Sequence, residues 1–390
     1  MRRACFASCE RAARQENVDH LDSRSRVLFA YGASVTVASE LLDYNANPYT
    51  HNHVSAPPRF PLPAEPHVEA WERYAAEARH SGLWPVLQKR FPQLNFPIRQ
   101  GLSQHAEYQA ATRRGTPTNT LVLASGLELD DADGLQLRLH PTLAGVIPVL
   151  VAANRPDFVS LAQALTRRNE PEPLPASMGA CIVSGYNNWD RITELRRRWQ
   201  GEKSANPSLP DWAEEFRQNI LPFPALYQDT FILLSQGPYS NVPAQHMGMS
   251  VETWRQTSLT LRLEHECAHY FTYRLFGSMR NNLLDELIAD YCGIVAANGH
   301  YRADWFLRFM GLESFPHYRE GGRLENYRGD PPLSEEAFHI LGHLVKDAAE
   351  NLERLDQDRA AELQTSEGKA RLLLSLARLT LEEIAAKENM

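Results

Sequence analysis

The sequence is poor in the features that would direct it to a bilayer, a nucleic acid or a disulfide scaffold. Its longest apolar run, Leu143 to Ala153, is too short to span a membrane and is broken by Pro148. Lys and Arg number 40 against 48 Asp and Glu, a formal net charge of −8. A general nucleic-acid binder would carry the opposite balance on a basic face, so no nucleic-acid partner is expected. The single basic run, Arg196-Arg197-Arg198, sits in an Arg- and Glu-rich stretch and reads as a solvated helix face. Five cysteines, an odd number without zinc-ribbon spacing, predict reduced thiols. Met1 to Glu10 carries charge where a secretory signal needs an apolar stretch, which predicts a cytoplasmic protein.

The composition that remains is ordinary for a globular chain: 43% hydrophobic and 23% charged over 390 residues, enough for two domains. Pro-rich breaks at Ser55 to Pro66 and Glu170 to Pro175 interrupt any helix or central strand. They predict an N-terminal region over residues 1–170 that mixes helix and strand, and a second domain over 175–390 that becomes mostly helical. A helix is expected near Ser23 to Leu42. Strands are expected at Asn119 to Ala124, Leu135 to His140 and Val146 to Ala152, with Pro148 suiting an edge or bulged strand. Thr230 to Leu234 reads as a short buried strand. The class is α+β, and no internal repeat is visible.

Chemistry concentrates in His265-Glu266-Cys267-Ala268-His269, which lies inside a long amphipathic segment. Two histidines four apart on a helix differ by roughly 40° around the axis, so both rings can reach one metal. Glu266 stands beside them as a carboxylate positioned to serve as a base. Gly277 supplies a helix stop, and a second helix is predicted to start at Asn282 as N-cap with Asp285 in the capping-box position. That second helix presents Glu286 as a third ligand candidate. Asp290, one turn on, is a candidate acceptor for the spare N–H of a ligating histidine.

This His-Glu-x-x-His followed by Glu286-x-x-x-Asp290 resembles the gluzincin zinc metallopeptidases. The resemblance covers about residues 230 to 300 and implies a zincin-like catalytic region with an active-site helix hairpin. By position it implies Zn²⁺ as cofactor, His265, His269 and Glu286 as ligands, Glu266 activating a zinc-bound water, and Asp290 behind a ligand histidine. It also implies a peptide or amide substrate, laid against an antiparallel edge strand ahead of the active helix, for which Thr230 to Leu234 and the following residues are the candidate. Such enzymes take an oxyanion donor from a downstream Tyr or His. His317, Tyr318, Tyr327, His339 and His343 are available, Tyr327 and His339 being the named candidates. The face of His339 and His343 is polar, however, and reads as solvated.

Other features admit plainer readings. His51 and His53 share a strand face but lack an acidic or thiol partner nearby. Tyr186 or Asn187, in a Gly-Tyr-Asn-Asn turn, either contacts substrate or simply closes a strand-to-helix turn. The segment from Arg319 to Pro332 is a long loop that either covers the site or connects elements. Cys267 and Cys292 are expected in the core as small hydrophobes. The same two histidines and one carboxylate would also suit a non-haem Fe(II) enzyme. A scaffold with a structural zinc would need a fourth protein ligand, from near His317 or His339.

Overall fold

The computed structural model describes residues 23–49, 58–278 and 282–386. His51 and His53 lie outside the described residues. The chain divides into two compact units: Met1–Pro58 with Ala268–Met390, and Arg59–Cys267. The Pro-rich stretch at 170–175 therefore lies inside the second of these.

The helix expected over Ser23 to Leu42 is two helices, α1 (residues 23–30) and α2 (Val35–Tyr44). Gly32, at φ 87°, turns the chain between them, and the Ser34 side chain caps α2 by accepting from the Val37 N–H.

In the unit Arg59–Cys267, α3 (Val68–Ser81), α4 (Leu83–Arg90) and α5 (Ala106–Arg114) precede a four-stranded sheet. Strands β1 (Gln136–Thr142) and β2 (Gly145–Val151) form an antiparallel hairpin that turns through Gly145 at φ 95°. Helix α6 (Arg155–Thr166) leads to β3 (Ala180–Val183), α7 (Trp189–Ala205), the short α8 (Trp212–Glu215) and β4 (Phe231–Leu234). The order is β1-β2-β4-β3, with β2 parallel to β4 and β3 antiparallel to it.

Two strand expectations are corrected. Asn119 to Ala124 is a 3₁₀ turn and loop, because Leu121, Leu123 and Ala124 pack on the Phe96, Leu102, Tyr108 and Ala111 cluster instead of pairing with a strand. Strand β2 is interior, not an edge. Its Pro148 is tolerated there because the pairing with β4 covers only Val149–Val151, leaving the proline outside that ladder.

Alternation assigns the two faces of the sheet. Leu150, Phe231, Leu233 and Val183 pack with Trp71, Tyr74, Leu87, Phe158 and Leu161 of α3, α4 and α6. The fully buried Asp229 anchors this side, accepting from Trp71 Nε1 (2.9 Å), Asn188 Nδ2 (2.7 Å) and Arg191 Nη1 (2.7 Å). The opposite face, with His140, Ile147, Val149 and Ile232, carries the first part of α9 (Val251–Phe276), as the bond between His140 and Glu264 shows. As expected, Arg196, Arg197 and Arg198 are exposed on α7.

In the other unit, α10 (Leu283–Asn298) is capped by the Asn282 side chain and is buried at every position from Leu283 to Tyr291. Such a helix belongs to an interior. The same unit holds α11 (Ala303–Met310), the long α12 (Glu335–Asp358), α13 (Ser366–Leu376) and α14 (Leu381–Ala385), and Tyr291 of α10 donates to Asp356 of α12 at 2.6 Å. Helices α1 and α2 join them through Arg24, whose guanidinium bonds the fully buried Glu382 of α14 at 3.2 and 3.3 Å, and through Asn45 on the same carboxylate. Among the described residues no helix is long and apolar enough to cross a membrane.

Candidate metal centre

Helix α9 is continuous across the division of the chain, so His265 and His269 keep their one-turn relation within a single helix. His269 Nε2 lies 3.6 Å from Glu286 Oε1 on α10. His265, His269 and Glu286 are all buried and place one donor atom each within 4.8 Å of the others, a group that can hold a metal ion. Glu266 is less buried than the two histidines beside it.

Both imidazoles are oriented from behind. His269 Nδ1 is 3.0 Å from Asp285 Oδ2, and Asp285, only 1% exposed, also accepts from Tyr49 Oη (2.5 Å) and Thr272 Oγ1 (3.1 Å). Burial and the Asp285 charge together push the Tyr49 phenol far up, so it remains a donor. His265 Nδ1 meets Tyr239 Oη at 2.9 Å. With Nδ1 held in each ring, Nε2 is the nitrogen left for a metal.

Tyr239 is fixed in turn. Its N–H donates to Ser258 Oγ at 2.9 Å. The preceding loop is pinned by Arg262, which donates to the carbonyls of Ser235 (3.2 Å), Gly237 (2.6 Å) and Pro238 (2.6 Å). Burial lowers the Arg262 guanidinium to about 10, against the opposing pull of Tyr239 and Glu266. Gly179 is required beside it: a Cβ there would sit 2.2 Å from Arg262 Nε.

Asp285 is not a capping residue, and it takes the place behind His269 that the resemblance implied for Asp290. It precedes Glu286 by one position and so faces Thr272 and His269. Asp290 lies one turn further along α10 and receives the Arg323 guanidinium, which also stands 3.7 Å from Glu286 Oε2. Arg323 comes from the loop expected between Arg319 and Pro332, as does Tyr327, whose phenol is raised by burial and by the adjacent Glu286 charge. That loop therefore covers the Glu286 end of the site. His339 is exposed on α12, its Nε2 3.3 Å from that of His343. Neither joins a metal-holding group among the described residues.

Strand β4 is flanked by β2 and β3, so it is interior; the edges of the sheet are β1 and β3. Cys181 of β3 packs against the cluster on the α3, α4 and α6 face of the sheet, and its thiol is raised by burial and by the charge of Glu266. Tyr186 and Asn187, just beyond β3, line a cavity of about 470 Å³ together with Arg113 and Arg168. Cys267 is buried, whereas Cys292 is only partly so. Sequence reasoning missed Tyr239, Arg262 and Arg323. Asp285 was visible beside Glu286, but capping gave it a competing explanation.

The chain belongs to a family of unknown function, DUF7005, whose model matches residues 26–388. No curated protein and no solved structure matches it.

Proposed function

We propose that the protein is a zinc-dependent hydrolase of peptide or amide bonds with a zincin-like catalytic region of the gluzincin type. The observation that carries this reading is the convergence of His265, His269 and Glu286 beside Glu266, with both Nδ1 atoms already engaged. Two imidazoles and one carboxylate fit Zn²⁺, and three protein donors leave a fourth position open, as catalytic sites require and structural sites do not. Zinc bound there would supply Lewis acidity to the scissile carbonyl and to water.

The chain's own groups do the rest. Glu266 takes the proton of the attacking water and delivers it to the leaving amine. Asp285 and Tyr239 hold the two rings so that they neither rotate nor exchange tautomers. Tyr327, whose phenol is raised by burial and by Glu286 beside it, is the candidate donor to a developing oxyanion. The outer edge of β3 suits an extended peptide, added as a further strand.

Glu266→Gln preserves shape and removes the base. The variant is expected to keep stoichiometric zinc and to lose peptide-library cleavage by about 10²–10⁴-fold. Turnover equal to wild type would reject the role of Glu266. Metal analysis of protein purified without added metal supplies the second check: iron accompanied by oxygen consumption would replace the hydrolase with an oxidative enzyme.

A further inference from the structure

A second group of metal-ligating side chains lies outside the site just described. His140 on β1 points from the sheet face that carries α9, and its Nε2 is 2.8 Å from Glu264 Oε1. Cys267 stands three residues after Glu264 on α9. Donor atoms of His140, Glu264 and Cys267 all lie within 4.8 Å of one another. Residues three apart on a helix differ by about 60° around the axis, so Glu264 and Cys267 share a face, while Glu266 is about 160° from Glu264.

We propose that His140, Glu264 and Cys267 bind a second Zn²⁺ between β1 and α9, with the fourth position left to solvent, which the partial exposure of His140 and Glu264 admits. The donor set argues for this metal. Magnesium and calcium prefer all-oxygen surroundings, whereas a thiolate, an imidazole and a carboxylate together suit zinc. A thiolate and a carboxylate also balance the two positive charges: binding releases the Cys267 thiol proton to solvent and moves the proton of neutral His140 from Nε2, which donates to Glu264 in the metal-free chain, to Nδ1. Access is favourable: the His140 and Glu264 side chains are 24% and 31% exposed, while Cys267 is buried beneath them. The existing bond between His140 and Glu264 holds two donors close together before metal arrives, which reduces the ordering cost. This site stands independently of the hydrolase reading, since it shares no ligand with His265, His269 and Glu286.

Cobalt(II), a spectroscopic substitute for zinc, reports thiolate ligation through a sulfur-to-metal charge-transfer band. Titration of the full chain with cobalt is expected to produce that band. His269→Ala should retain it and bind one fewer metal; Cys267→Ser and His140→Ala should abolish it while keeping the metal at His265 and His269. The His140 side chain is partly exposed, so its removal leaves the fold intact, and circular dichroism verifies this for each variant. Absence of the band in wild type, or its survival in either Cys267→Ser or His140→Ala, overturns the three-donor site. Loss of the band in His269→Ala would show that the thiolate depends on the first site and would equally overturn it.

Discussion

Metal binding by His265, His269 and Glu286 would rest on the tautomer of two imidazoles, and Asp285 sets one of them. As a carboxylate it accepts from His269 Nδ1–H, leaving Nε2 with its lone pair directed at Glu286 and the metal position. Asp285→Asn keeps the volume and can keep an oxygen for Tyr49 and Thr272, but its amide then faces His269 as a donor. The ring must respond by carrying its proton on Nε2, where it blocks ligation. Zinc affinity, measured by competition with a chelator, is expected to fall by about 10–100-fold. Tyr239→Phe should have a smaller effect, because the His265 Nδ1–H can find water in place of the phenol. Unchanged zinc affinity in Asp285→Asn would remove Asp285 from the site.

Among the elements, the loop between β4 and α9 connects the sheet to the ligands. Arg262 holds that loop through three carbonyls, and Gly179, just before β3, leaves the room its guanidinium needs. Gly179→Ala inserts a methyl group where Arg262, 4% exposed, has little freedom to move. We expect a destabilisation of about 1–3 kcal/mol in denaturant unfolding, accompanied by weaker zinc binding as Tyr239 loosens. A variant as stable as wild type would mean that Arg262 has another rotamer available. This coupling was invisible in the sequence, because Gly179 and Arg262 are far apart along the chain and neither sits in a motif. What was legible followed local rules: the His265-Glu266-x-x-His269 helix, the Asn282 cap, the alternating Leu135 to His140 strand and the buried run at Thr230 to Leu234. What failed depended on tertiary neighbours. The apolar residues from Asn119 to Ala124 found a helical cluster instead of a strand, β4 acquired a partner on each side, and Asp290 met an arginine 33 residues downstream.

For the molecule as a whole, a metal that binds only the folded chain must also stabilise it. The donors His265, His269 and Glu286 come together only through the packing of α9 and α10, so the unfolded chain has no comparable site. By mass action, free zinc at one hundred times its dissociation constant should add about 2.7 kcal/mol to the unfolding free energy. Thermal unfolding of chelator-treated protein is therefore expected at a lower temperature than that of zinc-loaded protein, with the midpoint rising further as free zinc increases. Glu266→Gln should show the same rise, since Glu266 is not a donor, while His269→Ala should lose the part of it that belongs to the first site. An equal zinc response in wild type and in His265→Ala/His269→Ala double-substituted protein would place the stabilising metal elsewhere. In that event the hydrolase reading would lose its metal, whatever the cobalt spectrum of the His140, Glu264 and Cys267 cluster shows.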